Sequence, residues 1–338
     1  MRFAFSEDQL ALRSGLADLL AGVCPPVAVR AAVDGQGVVP GVWAQLAELG
    51  ALGIMAPEEA GGLGFDEVAG ALLAAEAGAV ALPDPFTQVA CVAVPLLHRF
   101  GAHSSDAEGL LAQLVDGSTQ VAVGLSWDST VDQAEAASWL LLEADDGLHL
   151  VSVESVDIEQ VQSVDPALRP ARVSWIPTEL SRLGDAEQSR VAATDARIRS
   201  ALADAAQLCG LARTMVAMTV DYTSSRTQFG RPIGSFQAVQ HHLADALLAV
   251  TFAEPLVWRA AVSVADGATD RAMHVSMAKA QASDAAEQVA DICLQAHGAI
   301  GYTIEADLQL FLKRSWVLAR RSGTARSHRR VVAQALGI

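Results

Sequence analysis

Lysine is nearly absent from this chain: Lys279 and Lys313 are the only two among 23 basic residues, and the other 21 are arginines. Against them stand 39 Asp and Glu, a formal net charge of −16 over 338 residues. That balance excludes a general nucleic-acid binder, whose affinity comes from neutralising phosphates. It names no substrate. The preference for Arg, beside 64 alanines, reflects a GC-rich genome and carries no chemistry. Cysteine is also sparse. Cys24, Cys91, Cys209 and Cys293 show no CxxC or CxxH spacing, which excludes a zinc signature and leaves a poor disulfide framework. No uncharged apolar run is long enough to span a bilayer; the stretch from Ala69 to Ala81 is rich in Ala and Gly and holds Glu76. The N-terminus, MRFAFSEDQLALRS, lacks the apolar core of a signal peptide. A cytoplasmic protein without membrane or nucleic-acid partners is expected. What is plentiful is apolar: 51% of residues are hydrophobic and 18% charged, which excludes a disordered chain. The length allows two or three domains with real cores.

Three regions differ in pattern. Up to about residue 116 the chain reads as helical. Apolar positions recur at helical spacing through Leu10, Leu12, Leu16, Leu19 and Leu20, behind an N-cap at Ser6. Further helices are predicted over 40–49 and 65–78, joined by the Gly-rich turn APEEAGGLG. From Gln120 to Ile176 the runs VAVGL, SWLLLEA, LHLVSV and ARVSWI read as strands of a small β domain. No Lys or Arg lies between Arg99 and Arg169, so that segment offers no side-chain cation to a phosphate. Long helices return near 194–226, 236–265, 270–297, 305–320 and 326–336, with Pro255 expected to kink or interrupt the second. The last 31 residues hold seven Lys or Arg and no acid, an end expected to pack on acidic surface or face an anion. The predicted fold is mostly α: an N-terminal helical domain (1–116), a reduced β domain (117–192) and a C-terminal four-helix-type bundle (193–338).

Two local features suit anion binding, and each has an ordinary alternative. Arg226 ends a helix just before a Gly-Arg-Pro turn, where a guanidinium can take a phosphate or carboxylate in bidentate fashion or simply serve as a helix-end cation. The turn Gln295-Ala-His-Gly-Ala closes another helix; its glycine permits close backbone approach to a ligand or forms a plain C-cap. His241 and His242 read as helix-surface residues. No Ser/His/Asp order and no metal spacing stands out.

Trp43-Ala-Gln-Leu-Ala-Glu-Leu-Gly50 with Pro57-Glu-Glu-Ala-Gly-Gly-Leu-Gly64, then Arg226-Thr-Gln-Phe-Gly-Arg-Pro-Ile-Gly-Ser-Phe-Gln237 running to His241-His-Leu-Ala-Asp245, then Gln295-Ala-His-Gly-Ala-Ile-Gly-Tyr-Thr-Ile-Glu305, occur in an order that resembles the acyl-CoA dehydrogenase family. The likeness covers both ends of the chain and little of the middle. It implies an oxidoreductase fold that binds FAD, with Arg226, Gln228, Phe229, Phe236, Gln237, Gln295, His297, Gly298, Ala299 and Thr324 at cofactor-binding positions. The Gln295 turn would serve FAD held mainly by a neighbouring subunit. Ala299 stands where the family usually has a second glycine.

α,β-Dehydrogenation of an acyl thioester needs a carboxylate base with direct reach to the α-proton. The resemblance places that Glu at one of two positions. The first precedes Gly-Thr in the last loop, where this chain has Ser322; the second lies about 26 residues, roughly seven turns, before Arg226, at Ser200. Neither serine is a base at neutral pH. Asp204 is the nearest acid, one turn along and shorter. By that resemblance the β domain also lacks segments that hold the flavin ring in the family, the Gly-x-Lys turn among them. Retained FAD-completing motifs beside a missing base resemble the shorter, base-lacking subunit of two-plus-two actinobacterial acyl-CoA dehydrogenases of steroid degradation. The resemblance implies a heterotetramer with a full-length acyl-CoA dehydrogenase paralogue, an acyl-CoA substrate, FAD shared with that partner, and an electron-transfer flavoprotein as acceptor. The alternatives are a self-sufficient homomer using Asp204 or another acid, and a flavin-free scaffold.

Overall fold

A computed structural model describes residues 4–35, 37–100 and 105–338. The N-terminal region is helical as expected: α1 (Glu7–Val23), α2 (Pro26–Asp34), α3 (Val42–Glu48), α4 (Glu67–Ala79), α5 (Val94–Phe100), entered through a π-helical stretch over Gln88–Ala93, and α6 (Ser105–Val115). Ser6 caps α1 in a reciprocal capping box with Gln9. Helix α4 is buried almost all round because its Ala, Gly and Leu residues carry no polar face.

The middle holds two three-stranded sheets. Strands β1 (Val121–Gly124), β3 (Trp139–Ala144) and β4 (Gly147–Ser152) form one in the order β1-β3-β4, with β1 parallel to β3. Strands β2 (Val131–Asp132), β5 (Asp157–Gln160) and β6 (Pro170–Ser174) form the other in the order β2-β6-β5. The four apolar runs foreseen from sequence became β1, β3, β4 and β6. Strands β2 and β5 are short and mixed in polarity, so periodicity could not announce them.

The rest is a helical bundle. It comprises α7 (Ala186–Ser225), the small hairpin β7 (Thr227–Gln228) and β8 (Arg231–Pro232), then α8 (Gln237–Ala265), α9 (Arg271–His297), α10 (Leu308–Leu318) and α11 (Ala325–Leu336). An Asp185–Gln188 capping box starts α7 at Ala186, eight residues before the predicted point. Helix α8 runs through Pro255 without interruption. Pro255 sits on the exposed face, so the carbonyl whose partner it lacks is free to bond water. Helix α8 is long and apolar enough to cross a bilayer, yet Ala246, Val250, Ala253, Val257 and Ala260 line a face buried in the bundle core.

Helix α7, 40 residues long, is the spine. It crosses α4 where a Cβ on Gly210 would lie 1.9 Å from the Ala75 carbonyl and one on Gly78 would lie 2.2 Å from the Gln207 carbonyl. Only glycine at both positions permits this approach. The basic C-terminal segment does pack on acidic surface: Arg314 pairs with Asp165 deep in the protein, Arg329 with Asp284, and Arg320 with Glu287 at 3.3 Å.

Candidate functional site

The two expected base positions meet. Ser322 lies in the turn between α10 and α11, and its hydroxyl donates to Asp204 Oδ2 at 2.8 Å while its oxygen lies 3.1 Å from Ser200 Oγ on α7. Ser322 takes φ +56°, a left-handed conformation unusual for a residue with a Cβ. Four groups fix it there. Its N–H donates to Asp128 at 2.8 Å, its carbonyl accepts from His328 Nε2 at 2.9 Å, its hydroxyl is held as above, and the following Gly323 carbonyl accepts from Lys279 Nζ at 3.2 Å.

Asp204 is 1% exposed and occupied. Arg321 Nε reaches both its oxygens at 3.1 and 3.2 Å, and Arg321 Nη2 adds a third contact at 2.5 Å. The same guanidinium holds Asp132 at 2.8 Å through Nη1. Burial opposes the Arg321 charge, but the two carboxylates outweigh it and keep the group protonated. Burial pushes Lys279 down to about 8, and burial together with the Lys279 charge pushes His328 down to about 4.

A cavity of about 580 Å³ opens beside this cluster, lined among others by Trp127, Asp128, Asp132, Trp316 and Arg321. Asp204 and Ser322 do not line it. Of the groups around Ser322, Asp128 is the carboxyl that faces the cavity without a cationic hydrogen-bond partner, and burial raises it to about 6. Trp127 packs edge-on against His328, with centroids 5.0 Å apart, and lies where a Cβ on Gly323 would meet it at 2.5 Å. Trp127 and Arg321 therefore fill the space against the Ser322 turn. Periodicity and motif spacing pointed to neither residue, nor to Lys279 or His328.

The other predicted site residues gather at the opposite end of α7. Twenty-two residues of helix, about 33 Å, separate Asp204 from Arg226, which caps the helix. Beyond the cap, Gln228 pairs with Arg231 across the β7–β8 hairpin, whose tip is Phe229 at φ +52° and Gly230 at φ +78°. Both tip residues having positive φ is the geometry a two-residue hairpin turn favours. Phe229 is 92% exposed and touches Phe236 edge-on; Arg231 lies 4.1 Å over the Phe236 ring. Gln237 opens α8 directly after it. Tyr222, in the last turn of α7, stacks on His297 at 4.4 Å and donates to its carbonyl at 3.3 Å. That contact brings the Gln295–Ala299 turn to the same end as Arg226. His297 Nδ1 is bonded to the Cys293 carbonyl at 2.8 Å, and burial lowers its pKa. Gly298 caps α9 at φ +62°, and no atom lies within 4 Å of where a Cβ would stand, so the turn faces open space. Thr324 is the exception among the predicted cofactor residues. It caps α11 through a 3.2 Å bond from Ser327 N–H and lies at the Ser322 end.

The open end fits the diphosphate and adenosine part of a flavin dinucleotide. Among the described residues Arg226 has no carboxylate partner, the Gly298 turn leaves room for backbone approach, and Phe229 presents an aromatic face. At the Ser322 end Trp127 lies on Gly323, and the free space is the cavity beside it.

A further cluster lies apart from both ends. His149 on β4 is fully buried and contacts Ser181 Oγ at 3.0 Å through Nδ1 and Asp146 Oδ1 at 3.0 Å through Nε2. The sequence order Asp146, His149, Ser181 gave no sign of this arrangement.

Residues 6–118 match the family model for the acyl-CoA dehydrogenase N-terminal domain and residues 196–337 that for its C-terminal domain. Acyl-CoA dehydrogenase IpdE2 of Mycolicibacterium smegmatis is 31% identical over 327 residues, 96% of this chain and 97% of that one. Its namesake from Mycobacterium tuberculosis is 32% identical over 315 residues, 91% of each. Among solved structures, the ChsE4-ChsE5 complex from Mycobacterium tuberculosis superposes with a TM-score of 0.88 at 22% identity, covering 100% of this chain and 99% of that one. Butyryl-CoA dehydrogenase from Megasphaera elsdenii gives 0.88 at 20% identity, with 100% of both chains covered.

Proposed function

This chain belongs to the acyl-CoA dehydrogenase family, and from that membership we propose that it is the non-catalytic subunit of a heteromeric acyl-CoA dehydrogenase that shares FAD with a full-length partner. The observation that carries the reading is the Arg321–Asp204–Asp132 cluster. It occupies the point where Ser322 and Ser200 replace the family's base, and it leaves Asp204 no free oxygen aimed at the cavity. A general base must meet the proton it removes. Asp204 cannot.

Arg226 would pair with the cofactor diphosphate, Gln228 and the Gln295–Ala299 turn would supply polar and backbone contacts, and Phe229 would cover the adenosine part. The chemistry that bound FAD supplies is acceptance of a hydride. The partner's Glu would remove the α-proton of a CoA thioester, with an electron-transfer flavoprotein as final acceptor. Thr324 and Arg226 lie toward opposite ends of α7, too far apart to serve a single cofactor from a single chain. That spacing supports a site completed between subunits. One structural neighbour, a Tcur3481-Tcur3483 steroid ACAD variant with a TM-score of 0.83, supports a steroid-derived acyl group and a paired assembly.

Co-expression with an adjacent full-length paralogue tests this: the purified complex is expected to contain about one FAD per heterodimer. Stoichiometric FAD on this chain alone, bleached by an acyl-CoA, overturns it. A self-sufficient homomer remains the second reading. Asp128 favours it, being the carboxyl that lines the cavity next to Ser322.

A further inference from the structure

The β domain holds a second cavity, of about 440 Å³, lined among others by Val151, Ser174, Trp175, Ile176, Thr178 and Ser181. Its chemistry is independent of both ends of α7. An isolated antiparallel bridge between His149 and Arg182 ties β4 to the segment that leads into α7, and it brings Ser181 against the His149 ring. Asp146 closes the set from the Asp145–Asp146 turn between β3 and β4, and Trp175 packs edge-on against the imidazole at 5.1 Å.

The roles follow from hydrogen-bonding capacity. An ionised carboxylate only accepts, so Asp146 takes the proton of His149 Nε2 and leaves Nδ1 as an acceptor facing Ser181 Oγ. The bond from His149 holds Asp146 below the usual carboxylate range. Arg182 adds a contact to the other Asp146 oxygen at 3.5 Å. The serine oxygen is positioned from its own turn: it accepts from Thr178 N–H at 3.2 Å and lies 3.1 Å from both the Thr178 carbonyl and the Thr178 hydroxyl. Its proton therefore has two principal acceptors, the Thr178 carbonyl and His149 Nδ1. A turn-stabilising serine uses the first. A nucleophile uses the second.

We propose that Ser181, His149 and Asp146 form a nucleophile–base–orienter set, able to hydrolyse small uncharged acyl esters that enter the β-domain cavity. Relative to the usual serine triad, the two ring nitrogens are interchanged, and such sets are recognised by geometry and not by chain order. Ser181 Oγ attacks the acyl carbonyl carbon while its proton passes to His149 Nδ1. The carbon–oxygen bond to the alcohol breaks, and that proton leaves with the alcohol. Water then attacks the acyl-serine by the same route, releasing the carboxylic acid and restoring Ser181. The Ser174 hydroxyl on the cavity wall is a candidate donor to the developing oxyanion. Val151, Trp175 and Ile176 make the apolar part of the wall, and Asp157 and Ser155 share its polar part; the Asp157 carboxylate disfavours an anionic acyl group, so an uncharged one is favoured.

Diisopropyl fluorophosphate and p-nitrophenyl acetate, applied to the purified full chain, test the proposal. One phosphoryl adduct mapping to Ser181 is expected, with ester turnover lost on its formation and in Ser181→Ala. Asp146→Asn is expected to slow labelling at least ten-fold, because the imidazole loses its fixed tautomer. Ser181→Cys supplies a second readout: with His149 as base, its alkylation by iodoacetamide should stay fast well below pH 8. An unlabelled wild-type chain, equal labelling of Asp146→Asn, or a cysteine that alkylates only above pH 8 overturns the proposal. Flavin content of the co-expressed complex is expected to be unchanged in all three variants, so failure here is distinguishable from failure of the shared-FAD reading.

Discussion

The two ends of α7 are built on opposite principles. At the Ser200–Asp204 end, polar groups are buried, paired and covered by Trp127; at the Arg226 end, an aromatic tip, a guanidinium and a glycine turn stand in solvent. A buried ionic cluster maintains shape, and removing one member strands the others. An exposed cluster contributes little to stability and is available to a ligand. One end is thus a satisfied structure, while the other leaves its polar and aromatic groups unengaged.

This contrast can be broken most severely at Arg321. Arg321→Met strands Asp204 and Asp132 and is expected to cost about 3–5 kcal/mol in denaturant unfolding. Adding Asp204→Leu and Asp132→Leu should recover much of that loss, since a dry pair is replaceable by apolar volume. If Arg321→Met unfolds like wild type, the cluster is not a structural seal.

Acid attacks the same end through His328. Its folded pKa is about 4, against an ordinary value of 6.5. The unfolded chain therefore binds more protons in that window, and stability falls as pH drops from 6.5 toward 4. The full effect is about 3 kcal/mol. Asp128, raised to about 6, contributes with the opposite sign: its stabilisation is present below the unfolded carboxylate range and fades as pH rises through 6. The difference between wild type and His328→Asn isolates the histidine. It should narrow steadily across that window, and a pH-independent difference would contradict a neutral buried imidazole.

At the open end the expected signs reverse. Arg226→Ala should leave unfolding within about 0.5 kcal/mol of wild type while weakening FAD retention in the co-purified complex about ten- to hundred-fold, the size of a charge-assisted hydrogen-bond loss. Unchanged flavin content with intact assembly would favour a scaffold instead. Smallest of all, Asp128→Asn should leave dehydrogenation by the complex unchanged; loss of flavin reduction would transfer the base role to this chain.

Much of this contrast was legible in the sequence. Counting seven turns back from Arg226 landed on Ser200, and the fold brings Ser200 within 3.1 Å of Ser322. Helical periodicity located α8, α9 and α11 to within about a residue or two at each end. Asp204 was visible only as a carboxylate on the right helix face. Its partner Arg321 lies 117 residues away, and no local pattern encodes a pairing at that separation. A separation of 32 residues likewise hid His149 and Ser181, joined only when β4 meets the segment before α7. Pro255 does not interrupt α8 because proline's effect depends on which face of a helix it occupies, and burial is a tertiary property.

The paired glycines Gly78 and Gly210 have a mechanical meaning. They clamp the spine near its middle, backbone to backbone, with no flexible side chain between to absorb play. A rod held at its centre resembles two levers on a shared fulcrum, with one cluster on each arm. An engineer could rework either tip alone, provided the fulcrum is left untouched.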